Sequence, residues 1–335
     1  MSEYLLWPKK FREGVKLAKD FFENNSEILS EKLSRVVITG IGGSGIAGKI
    51  VSMISSRNGC TKVLASDPFD IPVDLGRGDL LVLVSHSGNT WEILDVLDRV
   101  VGCGANLCAI TVGGILAEKA CKAGAWVLNT PKTGATPREE LGRFVGILLS
   151  LIDNLGFVEI ANLIDDLNTH IERVVEVFSD KREYSDFLEI DFENRDLHIF
   201  GVSGDTFWAA YRAQTQFNEN SKIRAVFSGL PEAHHNLIEG FGENSKPAAA
   251  LVFTTEFLDK KLAYAVDKFC DIVRENNTQL YRPRVLGDNW CNQLISHVIW
   301  PDFASYNLGI KLGVDVRRVE VIGKLRRSVK KVCGG

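Results

Sequence analysis

The sequence predicts an α/β protein built from two related units, each a mainly parallel sheet flanked by helices. Three observations carry this. Short apolar runs at 35–39, 80–84 and 106–111 alternate with stretches whose apolar residues recur every three or four positions. Loops rich in glycine or hydroxyls follow two of those runs and precede helical patterns, where α/β proteins bind ligands. The order of elements in the first half returns in the second, at an offset of about 160 residues.

The totals narrow the classes. A chain of 335 residues fits two domains or one large one. Against 43 acidic residues stand 39 basic ones, a net charge of -4, so nothing suggests a nucleic-acid partner. No apolar run reaches the ~18 residues of a membrane span. The opening MSEYLLWPKKFREG lacks the apolar core of a signal peptide. Seven scattered cysteines, with no CxxC pair, read as reduced thiols of a cytoplasmic protein, mostly core fillers. Six histidines form no HxH or HExxH, so no metal site and no cofactor is signalled.

Taken in order, Phe11, Val15, Ala18 and Phe22, then Ile28, Leu29 and Leu33, predict one or two amphipathic helices over 9–33. A buried strand at 35–39 leads into the loop GIGGSGIAG and a helix ending near residue 55. Strands follow at 62–67, 80–84, 106–111 and 126–128, with helices at 91–101 and 117–122. The polar loop TPKTGATPR precedes an apolar helix over 139–154, and residues 160–190 read as helical. The polar stretch 191–196 marks a boundary. The domains are therefore expected at 1–155 and 196–335, joined by a helical connection over 156–195.

The stretch SHSGNT, after the strand at 80–84, organises the first half. It sets three hydroxyls, Ser85, Ser87 and Thr90, within six residues. Gly88 permits a tight turn. Asn89 or Thr90 can cap the next helix, with Glu92 completing a capping box after Asn89. A plain turn needs a cap and a glycine, not three hydroxyls. Converging N–H groups and hydroxyls at a helix start make an anion site, best suited to phosphate.

GIGGSGIAG admits a second reading. Gly40, Gly42 and Gly45 fit the dinucleotide pattern GxGxxG, and Asp67 ends the next strand. But Pro68 follows Asp67 at once, and a nicotinamide site would leave the hydroxyl loop without a task. Ser44 instead adds a hydroxyl at the same sheet edge, so that two loops serve one phosphate. Arg138, at the mouth of the helix over 139–154, can neutralise part of a bound anion.

The second half repeats strand, small residues and helix from LHIFGVSG, with strands expected at 223–227, 248–253 and 280–285. Thr254, Thr255 and Glu256 replace the hydroxyl loop, so only the first unit is expected to hold phosphate. Phe207 and Trp208 are unexpectedly bulky after the second glycine turn. Glu219, among amides in FNEN, can serve as a general base. In PEAHHN, adjacent histidines on a helix point about 100 degrees apart, so one can face a site while the other does not. Lys311 lies in the last turn of a helix closed by Gly313, where its charge also suits the helix dipole.

These motifs resemble the archaeal bifunctional phosphoglucose/phosphomannose isomerases, of the phosphoglucose isomerase superfamily, built from two sugar isomerase (SIS) domains of flavodoxin-like form. GIGGSGIAG, SHSGNT, Thr136-Pro137-Arg138, FNENSK, PEAHHN and SYNLGIKLGVD carry the likeness in order along nearly the whole chain. The resemblance implies interconversion of glucose 6-phosphate and mannose 6-phosphate with fructose 6-phosphate through a cis-enediol. It implies that Gly43, Ser44, Ser85, Ser87, Thr90 and Arg138 hold the phosphate. Glu219 would move the proton between C1 and C2, His235 would help open the ring, and Lys311 would assist. It implies a homodimer whose active site takes its histidine from the neighbouring subunit, and a cytoplasmic place in glycolysis and gluconeogenesis.

The likeness has one marked departure. Seven residues before the lysine, where bifunctional members resemble one another in a threonine, this chain has Ala304, with Ser305 beside it. Rival readings stay open. Amino-sugar and hexulose phosphate isomerases would keep SxSGxT, although the latter resemble a single SIS unit. A non-catalytic sugar-phosphate sensor would not need Glu219, His235 and Lys311 together.

Overall fold

The computed structural model describes residues 2–192, 194–242 and 245–332. The chain divides into two compact units, residues 1–177 with 287–292, and residues 178–286 with 293–335.

The first unit opens with a short turn of helix, α1 (Ser2–Leu5), and α2 (Trp7–Asn24). Its sheet comprises β1 (Arg35–Gly40), β2 (Val63–Ser66), β3 (Asp79–Val84), β4 (Asn106–Thr111) and β5 (Trp126–Asn129). All pairings are parallel and the strand order is β2-β1-β3-β4-β5. That is the flavodoxin-like order, whose ligand crevice lies where the winding reverses, between β1 and β3. The helices are α3 (Gly43–Arg57), α4 (Trp91–Val100), α5 (Gly114–Lys122), α6 (Leu141–Asn154) and all but the last two residues of α7 (Ala161–Ser179).

β3 is buried at all six positions, as a central parallel strand covered on both faces must be. Alternate side chains go to opposite faces. Val37, Leu81 and Leu83 pack with Ile93, Val96 and Leu97 of α4, whereas Ile38 meets α3 at Gly48.

The second unit holds α8 (Ser185–Leu188), β6 (Asp196–Val202), α9 (Phe207–Gln216), β7 (Ala225–Leu230), β8 (Ala248–Phe253), α10 (Lys260–Glu275) and β9 (Thr278–Tyr281). Most of α11 (Trp290–Lys311) and all of α12 (Glu320–Val332) also belong to it. Its parallel order, β7-β6-β8-β9, repeats the first four strands of the other sheet. One core joins Phe200, Val202 and Val252 to Val266 and Phe269 of α10. The bulk of Phe207 is also explained. Its ring lies against Gly229, where a Cβ would come within 2.7 Å, and edge-on to Phe227 at 4.8 Å. Trp208 packs on Tyr211.

Several boundaries differ from expectation. The helical stretch over 160–190 breaks after Ser179, because the Asp180 side chain accepts from the Arg182 N–H and starts a new turn. The helical stretch over 9–33 is α2 followed by a 3-10 turn over Ser26–Ser30. Of the six described cysteines, all free, Cys108, Cys270 and Cys291 are buried, while Cys103 and Cys121 are exposed and Cys60 is half-buried. The core-filler reading therefore holds for half of them, and Cys333 lies outside the described residues. No helix among the described residues is long and apolar enough to cross a membrane.

Candidate active site

In the first unit, the loops after β1 and β3 leave the sheet on either side of the winding reversal. Ser44 stands in the first turn of α3 and is buried, and its Oγ accepts from the His86 N–H at 3.3 Å. The two loops are thus joined. Ser85 is also buried, with its Oγ 2.8 Å from Thr90 Oγ1. That bond corrects the capping expectation: Thr90 occupies the N-cap of α4, but its hydroxyl turns back to Ser85 and no side chain caps the helix. The α4 N-terminus therefore keeps its N–H groups for something else.

Gly88 turns the elbow with φ +66, and a Cβ there would fall 1.8 Å from the Gly113 carbonyl oxygen. No other residue fits. Ser87, at the outer edge of the elbow, is exposed, and its Oγ accepts from the Asn89 N–H at 3.2 Å. Asn89 is occupied elsewhere, accepting from the Ile115 N–H.

A third loop completes the cradle. A Cβ on Gly43 would lie 2.7 Å from the Pro137 carbonyl and 2.8 Å from the Arg138 nitrogen. Glycine there lets the 136–138 segment lie directly on the start of α3. Arg138 is buried. Glu139 accepts from the Thr136 N–H at 2.7 Å and its hydroxyl at 3.0 Å, fixing the turn before α6. Glu140 receives Arg143 at 2.6 Å and Lys10 at 3.2 Å. Burial pushes its carboxyl up, but those cations outweigh burial and leave it below the usual carboxylate range. Gly43, Ser44, Ser85, Thr90 and Arg138 are thus gathered around two helix starts. Hydroxyls and N–H groups at helix starts suit an anion.

In the second unit, α9 ends in a wider π turn, Phe217–Ser221, which carries Glu219 half-buried. Such turns often mark functional sites. Asn220 donates to Ser305 Oγ at 2.9 Å, and the Ser221 hydroxyl donates to the Ser305 carbonyl at 2.7 Å. The turn is thereby pinned to α11. Asn218 accepts from the Ala225 N–H at 2.8 Å and ties the other side to β7. Behind it, Asp302 accepts from both Arg212 and Gln216 at 2.5 Å, so α9 and α11 share a buried ion pair.

His235 and His234 separate as adjacent residues on a helical turn should. His234 packs on Phe269 at 5.2 Å, and burial lowers its pKa; His235 is exposed. Lys311 lies in the last turn of α11, which Gly313 follows with φ +69, and its ammonium donates to the Leu188 carbonyl. Ala304 and Ser305 are both fully buried, and the Ser305 hydroxyl is committed to Asn220.

The equivalent crevice of the second unit is filled from within. After β6, Asp205 is buried and accepts from the Thr255 N–H at 2.9 Å and the Thr255 hydroxyl at 2.6 Å. A carboxylate thus joins the loops after β6 and β8, the counterparts of the first unit's loops after β1 and β3. The sequence signal was Thr254-Thr255 in place of the hydroxyl loop. The roles of Asp205, Ser305 and Asn220 had no signal in the letters.

A family model described as the bacterial phospho-glucose isomerase C-terminal SIS domain matches residues 188–329. A bifunctional phosphoglucose/phosphomannose isomerase from Pyrobaculum calidifontis is 30% identical over 253 residues, covering 75% of this chain and 76% of that one. The chain belongs to the bifunctional phosphoglucose/phosphomannose isomerase family. Another member of this family, from Caldicellulosiruptor bescii, is 28% identical across 97% of each chain. The fold is shared with tagatose-6-phosphate ketose/aldose isomerase from Escherichia coli, with a TM-score of 0.70, 14% identity, and coverage of 95% of this chain and 94% of that one.

Proposed function

We propose that the protein interconverts glucose 6-phosphate and mannose 6-phosphate with fructose 6-phosphate. Family membership sets the reaction class. The observation that carries the reading at the level of residues is the cradle of Gly43, Ser44, Ser85, Thr90 and Arg138 at the winding reversal. Ser87 joins it from the rim. The N-terminal domain, 1–155, would hold the phosphate, and the C-terminal domain, 196–335, would carry the catalytic residues.

The chemistry needs two kinds of proton transfer. Ring opening moves a proton from the anomeric hydroxyl and delivers one to the ring oxygen; His235, assisted by Lys311, is assigned to it. The open sugar then loses the proton α to its carbonyl to Glu219. The resulting cis-enediol regains it at the neighbouring carbon, on either face of C2, so glucose and mannose products share one intermediate. No metal or organic cofactor enters the scheme. Gripping the phosphate far from C1 and C2 lets binding energy orient the reacting carbons.

The exposed position of His235 supports a homodimer in which this histidine serves the neighbouring subunit's site. A protein that sediments as a monomer while fully active would remove that part. The proposed setting is cytoplasmic, in glycolysis and gluconeogenesis; enzyme confined to another compartment on cell fractionation would end that assignment.

The test supplies purified protein with fructose 6-phosphate and follows both aldose phosphates separately. Both are expected without added metal. Glu219→Gln should lower turnover by about three to four orders of magnitude, the scale of a lost general base, yet still bind a phosphosugar analogue. An active Glu219→Gln enzyme would refute the base assignment.

A further inference from the structure

We propose that Asn220 and Ser305 are positioning residues for the proton-transfer step, forming a buried side-chain latch that holds Glu219 in place. The inference rests on the reading of Glu219 as the base and adds two residues to it. Neither has a task in the motifs that point to the reaction.

The latch is made by side chains. Asn220 Nδ2 donates to Ser305 Oγ at 2.9 Å, with Asn220 1% and Ser305 0% exposed. The Ser221 hydroxyl donates to the Ser305 carbonyl at 2.7 Å. A single residue of α11 thus holds the two residues that follow Glu219. Gly309 stands four residues further along α11, on the same face as Ser305. Its missing Cβ lets the Asn220 carbonyl lie against the helix, since a Cβ would fall 2.7 Å from that oxygen. On the other side of Glu219, Asn218 Oδ1 accepts from the Ala225 N–H at 2.8 Å. The Lys222 ammonium donates to the Glu219 carbonyl itself. The main chain of Glu219 is therefore fixed before it, after it and at its own carbonyl.

Of these ties, the one between Asn220 and Ser305 joins two side chains inside the protein. An apolar pair could fill the same space. It would lack the directional bond that sets the π turn in one place on α11. Removing either partner strands the other, so neither residue is useful alone.

A base held out of line should slow proton transfer without weakening substrate binding. Ser305→Ala and Asn220→Ala each break the latch, and the double variant removes it. Full-length proteins are assayed with glucose 6-phosphate carrying hydrogen or deuterium at C2, at a temperature where circular dichroism shows each one folded. Each single variant should lose about ten- to a hundredfold in kcat with KM held within about twofold, as for a misplaced catalytic group. The deuterium effect on kcat should be no smaller than in wild type, because abstraction is the step slowed. The double variant should be about as slow as either single one, since one device is broken in all three. If alanine prevents folding, Ser305→Cys, which keeps the size but bonds weakly, replaces it with a smaller loss of the same kind. Wild-type kcat in the folded single variants would overturn the latch, and so would a shrunken deuterium effect or losses that multiply in the double variant. Glu219→Gln is run beside them. If it is inactive while the latch variants turn over normally, the latch alone falls; if it is active, the base assignment falls and the latch with it.

Discussion

Gly309 is a residue that acts by what it lacks. A Cβ there would come 2.7 Å from the Asn220 carbonyl oxygen and 2.6 Å from Val316 Cγ1. The first of those atoms belongs to the turn carrying Glu219, and backbone yields little. Gly309→Ala should therefore push the turn off α11. Overpacking of this kind costs about 1–3 kcal/mol of stability. Under the proposed role of Glu219 as base, a displacement of about 1 Å can cost about a hundredfold in rate. The expected result is a folded protein with a lowered melting temperature and a kcat reduced by about that factor. Wild-type turnover in Gly309→Ala would show that the turn tolerates the shift. In the sequence, Gly309 is one glycine in SYNLGIKLGVD. Only the approach of α11 to a turn about 90 residues earlier gives it a task, and periodicity does not report such approaches.

At the scale of elements, the two units use one topology for opposite ends. Each sheet reverses its winding beside its first strand, and each therefore presents helix and loop N–H groups at one crevice. The first unit leaves those groups to hydroxyls and an arginine. The second quenches them with Asp205. Removing that carboxylate leaves the buried Thr255 N–H and hydroxyl without their acceptor, at a cost of about 1–3 kcal/mol for unsatisfied groups. Asp205→Ala should lower the urea midpoint accordingly, and Asp205→Asn, which keeps one acceptor, should lower it less. Equal midpoints for wild type and Asp205→Ala would mean the crevice does not need an internal anion.

The elements themselves were largely legible. β1, β3, β4 and β8 fall where apolar runs ended in glycine or hydroxyls, because buried parallel strands must be apolar on both faces. β7 was expected at 223–227 but forms at Ala225–Leu230. The π turn ends with Lys222 at φ 58, and pairing of Leu197 with Ala225 sets where β7 begins. β9 was expected at 280–285 but ends at Tyr281, just before Arg282 and Pro283. That signal was available, since proline lacks an N–H and restricts the residue before it. In the site, the hydroxyl loop and FNEN were visible because their chemistry is local. The pinning of the turn carrying Glu219 by Ser305, through Asn220 and Ser221, was not, because those contacts join distant segments.

Across the whole molecule, five of the six histidines have pKa values lowered from 6.5. For His86, His170, His198, His234 and His297, burial is the main cause. Asp166 partly opposes it at His170, and Asp196 at His198. The unfolded chain therefore takes up protons that the folded chain refuses. Above the unfolded value both states are neutral at these rings, and the full stability is present. As pH falls below about 6.5 the unfolded state gains protons first, and stability declines until the folded values are reached. The carboxylates respond later. The hydrogen bond from Arg35 holds Asp79 below 3.8, so its contribution is lost only at more acid pH. A chemical-denaturation midpoint measured from pH 8 to pH 4 should thus be level above about 7 and fall between 6.5 and 5, before carboxylate protonation steepens the loss. A midpoint that stays level down to pH 5 would show that the buried rings accept protons inside the fold, with acidic neighbours such as Glu140, Asp166 and Asp196 compensating for the burial.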